Sequence, residues 1–332
     1  MCDSARSPKR IFILESCFLV YEKGAFEKHM YIYSLYGFKL YSQIPLFFLP
    51  VYSTQPDPNG ELYLEYIQME IAEASWDITF SRESDEYTLR MGASITYRIN
   101  AKEKRITAYA SNVECVESTL LNLPFAAFAT TQHALLLHAS SLAYNNTLIP
   151  LFATKGTGKT TLSAALSNFF PFFSDDTLYV KLAQGVVEPF AGSRLMKAHD
   201  DSANTLNLRP VCNKRNLQNK GFYRPFLAID KEENLYTNFQ LNAFFFLFRK
   251  KCDSIETEEI ISPTLKFLSL HSNICGVETL GFDYCKGVES SAVFLHLLSS
   301  SRFYKIYIPD QLSLLSKTAE ELSDKIKVLL SN

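Results

Sequence analysis

The chain has 332 residues, enough for about two domains and a sizeable core. Its composition is that of a globular protein, 47% hydrophobic and 20% charged, with many Phe and Tyr residues. A formal net charge of −2 and the lack of a long Lys/Arg run exclude nucleic acid and an anionic membrane surface as expected partners.

Near the start, Lys9-Arg10 precede Ile11-Phe12-Ile13-Leu14, but Glu15 interrupts the apolar run and no small-residue cleavage site follows. A secretory signal is therefore not expected. No apolar segment reaches the length of a membrane span, the richest being residues 243–248. The seven cysteines, scattered from Cys2 to Cys285 without C-x-x-C pairing, favour reduced thiols over a disulfide framework. The chain reads as cytoplasmic, with residues 1–29 as an N-terminal extension.

From residue 30 to about 110 the hydrophobic pattern has period two. Ile67, Met69 and Ile71 alternate with polar residues, as do Ile95, Tyr97 and Ile99, and then Ile106, Ala108 and Ala110. This predicts a half-buried, largely antiparallel sheet, so residues 30–116 are read as a β-rich domain. Its aromatics, Tyr31, Tyr33, Tyr36, Phe38 and Tyr41, are read as fillers of a sheet face.

Residues 117–332 are read as a catalytic domain. A helical segment is expected from about Glu117, broken or kinked near Pro124 and running toward His133. A strand over residues 135–144 then reaches Asn145-Asn146, a pair suited to a tight hairpin because Asn tolerates positive φ. The second arm, 147–152, leads into Ala153-Thr154-Lys155-Gly156-Thr157-Gly158-Lys159-Thr160, which fits the P-loop pattern with Ala153 where Gly is commoner. A helix-forming segment, 160–166, follows.

That strand–loop–helix order predicts a nucleotide site. Gly156 and Gly158 let the backbone curl into an anion-binding nest, and the helix N-terminus adds its positive field. Lys159 would reach the terminal phosphates and the Thr160 hydroxyl would ligate Mg²⁺, with Thr161 completing the set.

After Pro171 comes Phe172-Phe173-Ser174-Asp175-Asp176, an apolar pair ending in two carboxylates about fifteen residues beyond Lys159. Beside a bound γ-phosphate, one carboxylate can accept a hydroxyl proton while the other holds metal or water. His138 lies on the hairpin arm next to the loop, where periodicity alone leaves it structural or functional. Arg194 and the pair Lys214-Arg215 are candidate phosphate or substrate clamps. Residues 203–218 are polar and Asn-rich, a candidate loop over the site. A buried strand is expected over 240–248, a helix opening at Ser262-Pro263, and another over 288–298. Leu315, Ala319, Leu322, Ile326 and Leu329 mark a final amphipathic helix that packs on its own domain or forms a homo-oligomer contact.

The order Leu-His-Ala-Ser, Asn-Asn turn, P-loop and Ser-Asp-Asp resembles the HPr kinase/phosphorylase family, whose catalytic domain shares its nucleotide core with phosphoenolpyruvate carboxykinase. The similarity is greater to HPr-kinase-like peptide serine kinases of the lasso-peptide type. Their Tyr-Gly-x-x-x-x-Ser-x-x-Pro-Leu start is similar to residues 36–46 here, and their Pro shortly before Arg-Leu to Pro189 with Arg194-Leu195.

The resemblance implies an α/β fold: a phosphoenolpyruvate carboxykinase/HPr kinase-like P-loop core with a mixed sheet, preceded by the β-rich domain. It implies ATP and Mg²⁺ as cofactors, Thr160 and Asp176 as metal ligands, Lys159 on the phosphates, and a peptide or protein serine as acceptor. Asp175 would be the base, with Asp176 assisting and His138 tuning both; the roles of the two Asp residues can be exchanged. The Ile-Glu-x-Arg-Gly signature is absent, with Glu188 as a poorly placed substitute, and Thr161 stands where HPr kinases usually carry Glu. Both departures argue against HPr itself as substrate and against the reverse phosphorolysis. The rival readings are a catalytically silent nucleotide-binding regulator and a small-molecule hydroxyl kinase on the same core.

Overall fold

The computed structural model describes residues 30–49, 59–69, 78–83, 86–92, 95–154, 156–206, 208–215, 219–225, 239–252, 254–280, 288–309 and 314–331. Within these, residues 80, 213–215, 278, 288 and 289 are described as backbone only, and so is a hairpin of β1 (Ile11–Leu14) and β2 (Cys17–Val20).

Period-two burial builds the first sheet. Its strands are β3 (Tyr31–Leu35), β4 (Phe38–Ser42), β5 (Gly60–Gln68), β6 (Ile78–Glu83), β7 (Glu86–Met91), β8 (Ile95–Asn100) and β9 (Arg105–Ala110). They lie in the order β3-β4-β5-β9-β8-β7-β6. Four of its six pairs are antiparallel, in line with the largely antiparallel sheet that the sequence predicts, while the β4·β5 and β5·β9 pairs are parallel. Alternation reports which face a side chain takes, not which strand becomes the neighbour. Here the β6–β8 meander lies between β5 and its partner β9 in the chain.

Tyr36 and Gly37 join β3 to β4 with φ of 51° and 73°, the two positive angles that a two-residue hairpin turn requires. The tip of this hairpin docks on the second sheet. Tyr36 N donates to Ala191 O at 3.0 Å, and its hydroxyl meets Thr177 Oγ1 at 2.5 Å. Its ring lies 4.4 Å from that of Phe125 and 5.6 Å from that of Tyr179. Burial raises the Tyr36 phenol far above its ordinary range, so it stays protonated and able to donate. Tyr36→Ala is expected to lower unfolding free energy by about 3–5 kcal/mol in a urea titration, and Tyr36→Phe by about 1 kcal/mol.

Of the break or kink expected near Pro124, the structure has the break, which leaves two helices, α1 (Val113–Thr119) and α2 (Leu123–Thr131). Pro124 sits in the first turn of α2, where its missing N–H costs nothing. The remaining strands are β10 (Ala134–Leu137), β11 (Ser140–Tyr144), β12 (Thr147–Ala153), β13 (Phe172–Ala183), β14 (Val186–Ser193), β15 (Met196–Ala198), β16 (Arg209–Arg215), β17 (Gly221–Arg224), β18 (Ala243–Lys250), β19 (Glu256–Glu259) and β20 (Arg302–Pro309). The helices among them are α3 (Lys159–Leu166), α4 (Asp200–Thr205), α5 (Pro263–His271), α6 (Val277–Leu280), α7 (Val288–Ser300) and α8 (Leu315–Ser331).

The second sheet is mixed and eight-stranded, ordered β10-β13-β11-β12-β18-β20-β19 with β14 beside β13. The β11–β12 hairpin turns at Asn145-Asn146, with Asn145 at φ 52°. On its other edge β12 pairs in parallel with β18. Both faces of β18 are covered, which explains its unbroken apolar run. Phe152, Phe244 and Phe246 join a core with α2, α7 and the first sheet, while Leu151, Phe245 and Leu247 join a core with α3 and α8. The first of these cores runs without a break from Tyr33 through Phe125 to Phe303.

Two local features differ from the sequence reading. The strand over 135–144 is split at His138-Ala139, because His138 N leaves the ladder to donate to Asn273 O at 2.7 Å. The polar stretch 203–218 is not one loop, since α4 and β16 occupy much of it. No helix among the described residues is long and apolar enough to cross a membrane.

Candidate active site

The site forms where β12 turns into α3. Thr157 N donates to Thr154 O at 3.1 Å, and the hydroxyls of Thr154 and Thr157 meet at 2.8 Å, closing the loop on itself. Gly156 and Gly158 have φ of 87° and 94°, a region that side chains other than Gly rarely adopt. Gly158 is the N-cap of α3 and supplies no side-chain acceptor, which leaves the first-turn amides for an anion. A Cβ on Gly158 would stand 2.9 Å from Arg249 Nη2, whereas one on Gly156 would enter open space. Gly158→Ala is therefore expected to cost about 1–2 kcal/mol of stability in a thermal melt and to weaken nucleotide binding.

Lys159, the first residue of α3, is only 8% exposed. Its Nζ lies 3.4 Å from His138 O and 3.7 Å from Asp176 Oδ1. Burial lowers its pKa, opposed by the charges of Asp176 and Asp175.

The two carboxylates sit inside one continuous strand, β13, rather than at the end of a short one. The ladder to β14 shifts register between Asp175 and Leu178, and Asp176 has φ 65°. Such a bulge re-aims a side chain within a sheet. Asp175 is buried, 1% exposed, and accepts from Ser140 Oγ at 2.9 Å and from Lys197 N at 3.2 Å. Burial and the neighbouring Asp176 charge raise its pKa. Asp176, its side chain 35% exposed, faces the cleft. His138 Nε2 stands 3.4 Å from its Oδ1 and Lys197 Nζ 3.9 Å from its Oδ2. Burial alone would raise its pKa, but His138, Lys159 and Lys197 together hold it well below the usual carboxylate range. The pair is thus divided: one carboxyl buried within the fold, one ionised in the cleft.

The cleft has a volume of about 720 Å³ and collects Gly156, Gly158, Lys159, Thr160, Thr161, His138 and Asp176. Ala153 and Thr154 line it too, while Thr157 is buried beneath it. The basic side chains of Lys197, His199, Lys220 and Arg249, which the sequence does not single out, line it as well. Arg249 is the penultimate residue of β18, the parallel neighbour of β12, and its Nε donates to Thr157 O at 2.8 Å. A cation near the end of an apolar strand, beside the strand that feeds the glycine loop, is a legible signal, because ligands bind at the carboxyl ends of parallel strands. Lys197 carries no such signal; the turn after β14 brings it in.

Other expected residues lie elsewhere. Arg194 does not line the cleft, and Glu188 pairs with Lys181 at 3.7 Å on β13, so it does not substitute for the absent metal ligand. Lys155 and the side chains of Lys214 and Arg215, at the end of β16, lie outside the described residues.

The cavity facing Gly156, the open helix amides and the buried ammonium of Lys159 suit a polyphosphate. No cluster of three or more His, Cys, Asp or Glu side chains suited to a metal occurs among the described residues. The Thr160 hydroxyl and the Asp176 carboxylate offer hard oxygen donors of the kind Mg²⁺ takes alongside phosphate oxygens and water.

No family model matches this chain, and no curated protein matches it significantly. Among solved structures it is similar to the HPr(Ser) kinase/phosphatase from Coxiella burnetii, at 10% identity and a TM-score of 0.29, over 59% of this chain and 99% of that one.

Proposed function

We propose that this protein is a kinase that transfers the γ-phosphoryl group of ATP, with Mg²⁺, to a serine hydroxyl of a peptide or protein. The observation that carries this reading is the meeting, in one cleft, of a P-loop lysine and an ionised carboxylate, Lys159 Nζ and Asp176 Oδ1, 3.7 Å apart. A nucleotide site alone does not require a carboxylate at the terminal-phosphate end. A phosphoryl transferase does, to receive the proton of the attacking hydroxyl.

In this reading the loop amides and Lys159 hold the β- and γ-phosphates, and the Thr160 hydroxyl would hold the metal together with phosphate oxygens and water. Bound Mg²⁺ neutralises charge that develops on the phosphate oxygens. Attack by the serine oxygen forms one P–O bond while the bond to the β,γ-bridging oxygen breaks, its electron pair leaving with ADP. The hydroxyl proton passes to Asp176. Asp176 rather than Asp175 takes the base role, because Asp175 is buried and already bonded to Ser140 and Lys197. The depressed pKa of Asp176 is compatible with this, since a loose transition state asks little basicity of its proton acceptor. His138 orients the carboxylate, and Lys197 and Arg249 add positive charge around the phosphates.

The test is a mass-shift assay with purified protein, ATP and Mg²⁺ against serine peptides and small hydroxyl compounds. A product gaining one phosphoryl group supports the reading. Tight ATP binding with no product across the panel would favour a nucleotide-binding regulator instead.

A further inference from the structure

Two clefts meet at His138. The nucleotide end of the loop, Gly156 to Thr161, lines only the cleft described above. A second cleft of about 520 Å³ opens on the other side and shares with the first only His138, Ala153 and Thr154. Its floor follows from strand alternation, which sends Phe152, Phe246 and Phe248 to one face of β12 and β18. Phe152 and Phe246 are buried and stacked, with ring centroids 4.9 Å apart, while Phe248 is 42% exposed at the rim. The opposite wall runs from Ser272 to Val277 and is tied to β10 and to His138, which follows it. His138 N donates to Asn273 O and Cys275 N to Leu136 O, each at 2.7 Å. Burial pushes the Cys275 thiol up to about 12, so it adds a neutral surface. The polar side chains of Ser269, Ser272, Asn273 and Thr279 also line this cleft.

In-line transfer fixes what this space is for. The attacking and leaving oxygens lie on opposite sides of the transferred phosphorus. A donor laid along the loop toward Thr160 and Thr161 leaves the acceptor to enter from the first residues of the loop, past His138. The space beyond His138 is the second cleft. It is far larger than a serine side chain, apolar beneath and polar around, which suits an apolar side chain with peptide amides above it.

We propose that the second cleft binds the acceptor as a peptide segment, the serine hydroxyl reaching Asp176 past His138 and an adjoining apolar side chain seated against Phe246 and Phe248. This rests on the kinase reading above and names its substrate class.

The experiment uses the full chain, ATP, Mg²⁺ and a library of heptapeptides with one central serine flanked by Ala, Leu, Phe or Asp. Wild type is compared with Phe248→Ala and Ser272→Trp, both at exposed rim positions that leave the buried floor intact. Leu- or Phe-flanked serines are expected to react with kcat/KM at least about tenfold above Ala-flanked ones. Each variant is expected to raise KM for the preferred peptide about tenfold, with AMP-PNP affinity by calorimetry held within about twofold. Indifference to the flanking residue, or an unmoved peptide KM in both variants, overturns the inference and leaves the kinase standing. Loss of AMP-PNP affinity with peptide KM unchanged assigns the cleft to the nucleobase, which also overturns it. Phosphorylation of small hydroxyl compounds but of no peptide removes the peptide class alone. Phosphorylation of nothing removes the kinase reading with it.

Discussion

Asp176→Asn is expected to lower kcat by about 10²- to 10⁴-fold, the range for loss of a positioned proton acceptor, with nucleotide affinity much less affected. Asp175→Asn is expected to lose far less activity, because its carboxyl contacts Ser140 and the Lys197 backbone rather than the cleft. The two variants also separate in their pH response. Asp176 has a depressed pKa in the folded chain, so it contributes stability above the unfolded value, about 4, and loses it as pH falls. Asp175 has a raised pKa, so the folded chain keeps a proton that the unfolded chain has released, and stability falls as pH rises through that window. Relative to wild type without metal or nucleotide, the melting temperature of Asp175→Asn should therefore rise from about pH 4 to pH 7, whereas that of Asp176→Asn should stay at its full deficit above about pH 5 and recover as pH falls below about 4. Parallel pH trends, or equal losses of kcat, would sink the division of roles.

Lys159→Met is the second large effect. Loss of one preorganised cation on the transferring phosphoryl group should reduce turnover by at least about 10²- to 10³-fold. AMP-PNP affinity should fall with it, read by calorimetry. Stability should move the other way. The ammonium is buried and its pKa lowered by that burial, so Met, of similar length and without charge, removes a desolvation cost. Asp176 keeps Lys197 and His138 beside it. A melting temperature equal to or above wild type, with activity gone, marks Lys159 as a residue kept for ligand rather than for fold. Retained turnover would contradict the site itself.

The sequence by itself determined the β-hairpin at Asn145-Asn146, the strand–loop–helix order at residues 147–166, the helix opened by Ser262-Pro263 and the amphipathic helix α8. Each is a local matter. Asn and Gly set turn angles within a few residues, Pro and Ser set a helix start, and hydrophobic spacing sets a face. That Lys159, Thr160 and Asp176 meet in one cleft was legible for the same reason, as short-range spacing beside a loop.

What the tertiary structure decided is non-local. Parallel neighbours in the first sheet depend on how distant strands return, which alternation does not encode. The split at His138 exists because its backbone is claimed by Asn273, far along the chain. Asp176 and not Asp175 reaches the cleft because a bulge against β14 turns that one residue out of the strand's alternation. Lys197 and Arg249 join the site through a turn after β14 and a parallel pairing with β12. The spacing in the chain selects which side chains are available near the loop. Register and long-range hydrogen bonds between elements decide which of them face the cleft.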